Sequence, residues 1–467
     1  GRAGDDNLAG GAGGDRLDGD EGNDTLDGGA GEDTILGGSG AGDVAVFSGQ
    51  SSSFSFALRS GGLRVEGEGS DVVGDDVEVL RFGDGRTLSV RPEHAPLLGA
   101  SLSGYWGAQD TGTATPTADG YGARLAGNAW KSVAVERAIG PDTVLSFSYA
   151  SEVEGEIAGV GVEVDGSGGP ELFWQVDGVQ SYGDQSLNGS YATGSGFRTY
   201  EVRIGDAVEG AISALVLAVD DDAGLGGEGT FRDVRLFERP RLMIDGVKRE
   251  VGRYDARQDF GTAAVSEDRL GATVSGNAWK TLEIDAEIGP GTVLEFDLEV
   301  EDAGEILGIG FDDDDVLSLD RLFQLGGSDV RGDVAGWADP VSETGGVRRY
   351  EIPVGEVYTG AFSRLVLAVD DDADGSGAAT FSTLALREDP ALAIGASPRR
   401  LAAHDPRQDF GTASTSADGR SATLSGNAWK RATLETPVGP ETWLSFDVRS
   451  QDAGEILGVA LENDDLL

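Results

Sequence analysis

Aspartate recurs every nine residues at the start of this sequence, and that spacing poses the first chemical question. Read from Gly1 in nines, the chain runs GRAGDDNLA, GGAGGDRLD, GDEGNDTLD, GGAGEDTIL and then GGSGAGDVA. The sixth position is Asp6, Asp15, Asp24 and Asp33, and the eighth is Leu8, Leu17, Leu26 and Ile35. Calcium takes six to eight oxygen ligands, more than one short turn can supply. Glycines permit the tight, positive-φ turns that expose carbonyl oxygens beside such carboxylates. A flexible glycine-rich linker is the alternative, but a linker has no reason to keep Asp and Leu in register over four units. The fifth unit slips by one residue, to Asp43 and Val44, and the array is expected to end there.

Other carboxylates cluster farther along. Asp220, Asp221 and Asp222 recur as Asp370, Asp371 and Asp372, and residues 312–315 are four consecutive aspartates. Glu156, Glu305 and Glu455 recur in a Gly-Glu-Ile motif. Crowded carboxylates repel one another, which cation ligation would relieve, although a solvated acidic loop explains them equally. A glycosidase acid/base pair is formally available among so many carboxylates. Repetition of near-identical units argues instead for repeated binding, so the chain is read as non-catalytic.

Trp130, Trp279 and Trp429 stand beside Lys131, Lys280 and Lys430, which are three of the four lysines in the chain. An indole next to an ammonium could dock a sugar ring and its hydroxyls or carboxylate. The other reading is a buried Trp that begins a strand. Adjacent residues on an extended segment face opposite sides, which favours Trp in the core and Lys outside.

Composition removes several classes of function. With 83 acidic against 35 basic residues the formal charge is −48, so nucleic acid and anionic membranes are repelled and cations attracted. There is no cysteine, so no disulfide or thiolate metal site exists. The two histidines, His94 and His404, lie in Pro-containing stretches that read as linkers, which leaves little for zinc or a Ser-His-Asp triad. No stretch approaches the ~20 apolar residues of a membrane span.

The nonapeptides match the template G-G-x-G-x-D-x-U-x, with U a large apolar residue, and resemble the RTX (repeats-in-toxin, hemolysin-type) calcium-binding repeats. That resemblance implies a parallel β-roll in which two nonapeptides form one coil and calcium lies between stacked coils. It implies that Asp6 and Asp24 line one side, Asp15 and Asp33 the other, with carbonyls around Gly4, Gly13, Gly22 and Gly31 completing the shells. It further implies a secreted protein, exported unfolded by a bacterial type I route and folded by external calcium. DVAVFSG (residues 43–49) and DDVEVLRFGDG (75–85) resemble the β-rich segment that closes such rolls, and a solenoid's last coil needs a cap.

From about Tyr105 the sequence repeats with a period near 150. GNAWK begins at Gly127, Gly276 and Gly426, and Gln-Asp recurs at Gln109, Gln258 and Gln408. TVLSFSY, TVLEFDL and TWLSFDV alternate apolar and polar residues, and short strands between Gly-rich turns indicate β-sandwiches. The order strand, SGNAWK, strand, GP-x-T-x-L-x-F is similar to the galactose-binding-like jelly roll of many carbohydrate-binding modules. In that fold the closing strand often carries an acidic ligand of a structural calcium. TFRDVRLFE offers Asp233 there, whereas the second copy has Thr383.

The fold expected is therefore all-β: a parallel β-roll (1–48), a cap (49–97), antiparallel sandwiches (98–239 and 240–389) and a partial third (390–467). The third copy stops midway and the sequence opens inside the repeats, so a fragment of a longer protein is expected. The expected function is a calcium-binding secreted segment whose tandem non-catalytic modules attach to polysaccharide or cell-surface glycan, with no nucleic-acid partner and no membrane span. A structural adhesin or surface-layer spacer is one alternative. The accessory part of an extracellular polysaccharide-degrading enzyme is the other.

Overall fold

A computed structural model describes the chain apart from residues 165–169, 171, 225, 256–257, 315, 317–320, 330–344, 373–374, 405–406, 435–436, 453 and 463–467. It is built from β-strands with a few single-turn 3₁₀ helices, and no helix among the described residues is long and apolar enough to cross a membrane. Two compact units follow one another, Gly1–Arg239 and Pro240–Leu467.

The first unit opens with a two-walled parallel roll. On one wall Asn7–Ala12 pairs with Thr25–Ala30, which pairs with Val44–Phe47, which pairs with Val79–Phe82. On the other, Arg16–Asp18, Thr34–Leu36 and Ser70–Gly74 stack in the same sense. Leu8 lies over Leu26 and Ala45, and Leu17 over Ile35 and Val73. Leu17, Leu26, Ile35, Ala45 and Val73 are buried, so the eighth-position column fills the interior. That burial fixes the register, because a one-residue slip would turn every apolar side chain outward.

The nonapeptide period ends at the slipped fifth unit, but the parallel coil does not. The extra residue is absorbed as a 19-residue step between Asp24 and Asp43, and the winding continues for two more passes. The inserted hairpin Ser55–Arg59 and Gly62–Glu66 interrupts the coil without breaking it. The antiparallel strand Thr87–Ser89 closes one edge.

The first sandwich packs two sheets face to face. One holds Thr113–Pro116, Gly122–Ala126, Glu228–Glu238, Thr143–Val153 and Arg198–Val202 in spatial order. The other runs Leu172–Asp177, Ile157–Glu163, Ala214–Asp220, Ala129–Glu136 and is extended by the hairpin strands of the cap, so roll and sandwich share one ten-stranded sheet. A single apolar core runs from Leu17 to Leu236. Gly127 turns the corner between the sheets at φ +70, a conformation that costs glycine nothing.

The second unit repeats the sandwich. Thr262–Val265, Gly271–Ser275, Ala378–Glu388, Thr292–Asp302 and Val347–Ile352 form one sheet. Arg241–Ile244, Val247–Arg253, Ala278–Ile288, Gly360–Asp370, Ile306–Asp312 and Leu322–Gly326 form the other. Among the described residues the third copy contributes short strand pairs, such as Thr412–Thr415 with Ala422–Ser425, and its alternating segment leaves Trp443 92% exposed.

His94 is not in a free linker: it bridges to Arg235 on the closing strand, and its ring packs edge-on against Tyr121. His404 likewise belongs to the third copy's fold. Its amide donates to Trp429 O, as those of Tyr105 and Tyr254 do to Trp130 and Trp279.

Candidate functional site

The roll aligns its aspartates into two columns. Asp6 N donates to Asp24 Oδ1 at 2.7 Å and Asp24 N to Asp43 Oδ1 at 2.7 Å. On the opposite wall Asp15 N donates to Asp33 Oδ1 at 2.8 Å and Asp33 N to Asp71 Oδ1 at 3.0 Å. Each carboxylate is thus pinned by one oxygen to the coil before it.

The second oxygen is left over. Oδ2 of Asp15, Asp24, Asp33 and Asp43 is buried without a hydrogen-bond partner. A buried, unpaired carboxylate oxygen costs several kcal/mol unless a cation or donor meets it. Carbonyl oxygens crowd the same places. A Cβ added to Gly10 would lie 2.7 Å from Gly28 O and 2.8 Å from Asp15 Oδ2. One added to Gly19 would come closer than 3.0 Å to both Gly37 O and Asp24 Oδ2. The carbonyls of Gly4 and Gly13 face the next coil beneath Gly22 and Gly31, all four glycines having positive φ. An all-oxygen donor set of carboxylates and carbonyls fits a hard cation such as calcium.

Burial pushes the Asp71 carboxyl up to about 6, and the neighbouring Asp33, Glu68 and Glu66 charges push the same way. Sequence reading missed Asp71 and Glu78, which continue the columns in the cap. The available signal was Asp/Glu-x-apolar at irregular spacing: Asp43 with Ala45, Asp71 with Val73, Glu78 with Leu80.

The sandwich acids are arranged differently. Among the described residues that follow Asp76 in the chain, no buried carboxylate oxygen lacks a partner. Asp220 Oδ1 accepts the indole N–H of Trp130 at 2.9 Å, and Asp370 Oδ1 that of Trp279 at 2.8 Å. Asp221 Oδ2 accepts from Gly226 N and Gly227 N, and Asp371 Oδ2 from Gly377 N. Glu156 Oε2 takes the amides of Asp222 and Ala223, and Glu305 Oε2 that of Asp372. The amide of Ala223 holds Glu156 below its ordinary value, while Glu156 pushes Asp222 up. These groups lace the loop after the Ala214–Asp220 strand to the Gly-Glu-Ile turn. Glu455 is exposed.

Asp233 stands at φ +53 in a bulge of the closing strand, where Thr383 stands at the same angle in the second copy. Its carboxylate meets the Arg91 guanidinium at 2.9 Å. Asp312, Asp313 and Asp314 bring three oxygens together, and Arg321 pairs with Asp312 and Asp313. Asp315 lies outside the described residues.

The Trp-Lys motif as a sugar dock is also corrected. Trp130 and Trp279 are each 2% exposed and cannot stack on a ligand. They lie in small apolar clusters on the outer face of their sheets, with Tyr105 and Phe173 in one copy, Tyr254 and Leu322 in the other. Lys is not outside either, because the Gln-Asp loop folds over it. Lys131 Nζ sits 2.6 Å from Asp110, Lys280 2.9 Å from Asp259 and Lys430 2.5 Å from Asp409. The same aspartates accept the Trp130, Trp279 and Trp429 amides. The recurrence of Gln-Asp with Trp-Lys is one structural device.

Half-exposed aromatics do occur nearby. Trp106 and Tyr182 cover Trp130, with Trp106 4.9 Å from it edge-on and 6.0 Å from Tyr182. Trp106 takes a left-handed conformation (φ 64, ψ 31), unusual for a bulky residue. Phe260 and Phe410, which follow the Gln-Asp pair of the later copies where the first has Thr111, are 72% and 76% exposed.

Comparison with known proteins gives one family match. The RTX calcium-binding nonapeptide repeat matches residues 1–35 and 9–44. The chain thus carries calcium-binding repeats of that kind, which are typical of extracellular proteins. No curated protein sequence matches. Among solved structures, the tandem CBM51 modules of a family 98 glycoside hydrolase from Streptococcus pneumoniae are similar at 9% identity. That match covers 58% of this chain and 86% of the other, with a TM-score of 0.18. An M60 catalytic domain with two CBM51 domains, from Clostridium perfringens ZmpB, matches at 11% identity and TM-score 0.18. It covers 70% of this chain, which spans 40% of that longer structure. The ANXUR2 extracellular domain of Arabidopsis thaliana matches at 10% identity over 65% of this chain and 94% of its own, TM-score 0.17. At scores this low they bear on neither ligand nor mechanism.

Proposed function

We propose that this chain is a calcium-folded extracellular segment whose sandwiches attach to glycan without catalysing a reaction. The observation that carries the calcium part is the row of buried, unpartnered Oδ2 atoms on Asp15, Asp24, Asp33 and Asp43. In this reading Asp6, Asp15, Asp24 and Asp33 hold the ions together with main-chain carbonyls of Gly4, Gly13, Gly22, Gly31 and the first glycine of each repeat. Export before folding follows: without calcium the columns repel themselves, and the roll stays open until it meets an outside solution rich in the ion.

For glycan, the support comes from the half-exposed Trp106 and Tyr182 rings, two aromatic faces tilted 43° to one another over the buried Trp130. Sugar rings stack on such faces while their hydroxyls meet polar rims. The test is retention of the calcium-loaded chain on neutral and acidic polysaccharides. Absence of retention on all of them would sink the glycan half. A spacer role is the second reading, favoured by the buried Trp130 and Trp279 and by the lysines locked to aspartate.

A further inference from the structure

We infer that the cation column continues past the nonapeptides into the cap, with an additional calcium site closed by Asp43 and Asp76. The inference rests on the reading that the roll holds calcium between its coils. Asp76 lies outside the matched repeats, which end at residue 44.

Three observations carry it. First, Asp43 is fully buried, and its Oδ2 has no partner although Asp24 N holds its other oxygen. Second, Asp76 shows the same half-satisfied state: Oδ2 accepts from Gly38 N at 2.9 Å, while Oδ1 is buried and unpartnered. Among the described residues these two, with Asp15, Asp24 and Asp33, are the only carboxylates with an orphaned buried oxygen.

Third, the surrounding oxygens repeat the geometry of the rung below. A Cβ on Gly19 would meet Gly37 O and Asp24 Oδ2, and a Cβ on Gly37 would meet Asp76 O and Asp43 Oδ2, all closer than 3.0 Å. Asp76 thus places its carbonyl where the next repeat's first glycine would place one. A Cβ on Gly40 would collide with Gly22 O and lie 3.0 Å from Asp43 Oδ2, which brings a second carbonyl to the same space. Glu78 Oε2 takes the Asp43 amide at 2.7 Å, the role each following aspartate plays in the column. The Asp43 carboxylate with the converging Asp76 and Gly22 carbonyls forms a donor set suited to calcium, and Asp76 brings a second half-satisfied carboxylate to the same rung. A bound water could satisfy one such oxygen, but it would not neutralise the buried Asp43 charge.

Calorimetric titration of the calcium-stripped full chain tests this, comparing the native sequence with Asp76→Asn and Asp24→Asn. The expected result is one calcium fewer per chain in Asp76→Asn, with the circular-dichroism change on calcium addition retained. An unchanged stoichiometry and affinity in Asp76→Asn overturns the inference while leaving the repeat sites standing. If the native chain takes up no calcium, the reading of the roll falls and this inference with it. Should Asp76→Asn fail to fold, hydrogen exchange on the native chain decides. Residues 74–79 should gain protection with calcium in step with residues 37–43, and equal protection of 74–79 in chelator overturns the inference.

Discussion

Lys280 places its ammonium 2.9 Å from each carboxylate oxygen of Asp259, and both side chains are closed off from solvent. Gly261 O accepts a third bond at 2.8 Å, so the cation is fully engaged. A buried pair of this kind is strongly missed when one partner goes, because the other charge remains. Lys280→Met should therefore destabilise the second sandwich by about 3–5 kcal/mol. Asp259→Asn added to it should recover much of the loss, since Asn still accepts the Trp279 amide. Urea unfolding followed by tryptophan fluorescence reads this, and a single-variant loss below about 1 kcal/mol would place the pair among ordinary surface bridges.

Calcium withdrawal should act selectively. Among the described residues the orphaned carboxylate oxygens lie within the first eighty, and the Glu156, Asp221 and Asp371 carboxylates are held by backbone amides. Chelator should abolish amide protection in the strands Thr25–Ala30 and Thr34–Leu36 while the strands Thr292–Asp302 and Ala378–Glu388 keep theirs. Equal loss in both regions would assign calcium to the sandwiches as well.

Gly19→Ala should be among the most damaging single changes in the roll. Its added methyl would collide with Gly37 O and Asp24 Oδ2 at once, and backbone on that side cannot retreat cheaply. The expected outcome is a calcium midpoint raised at least tenfold by circular dichroism. Gly85→Ala, in an open turn at φ +81, should leave that midpoint within about twofold, its cost of order 1 kcal/mol being local.

If glycan attachment uses the outer aromatic face of the first sandwich, Trp106→Ala should weaken retention on polysaccharide about five- to thirtyfold, since a stacked ring carries of order 1–2 kcal/mol. Thermal stability should change little. Retention unaltered in Trp106→Ala and Tyr182→Ala would move the search to Phe260 and Phe410.

His94 predicts a pH effect of definite sign. Burial lowers its folded-state value below the ordinary 6.5, so the unfolded chain binds the proton more readily. Its contribution is intact above pH 6.5 and is lost as the pH falls below it. With calcium saturating, His94→Gln should show a smaller drop in melting temperature between pH 7 and pH 5 than the native sequence. An identical drop in both would show that the imidazole stays uncharged, or is equally solvated, in both states.

Much of this architecture was legible from the residues. Leu8, Leu17, Leu26 and Ile35 announce the roll because a nine-residue period with one apolar position admits few other solutions, and period-two runs such as Thr143–Tyr149 announce strands. What could not be read was pairing across long separations. Asp110 and Lys131 are twenty-one residues apart, and nothing local says that the Gln-Asp loop lies over the lysine. The same holds for Asp71 and Glu78, whose preceding column members Asp33 and Asp43 lie 38 and 35 residues earlier, before an inserted hairpin. Strand alternation correctly sets Trp and Lys on opposite faces, yet it cannot tell that both faces are covered.

The seam between cap and first sandwich has a mechanical consequence. Only two residue pairs, Val135 with Leu58 and Glu136 with Arg59, knit the two halves of the ten-stranded sheet, beside one bridge from Arg64 to Glu136 at 2.7 Å. That narrow edge does not act alone, because one apolar core runs from Leu17 to Leu236 across the seam, with the Arg91–Asp233 pair and the His94–Arg235 bridge beside it. A pull on either half would be shared by that packing, so cap and first sandwich should unfold as one body.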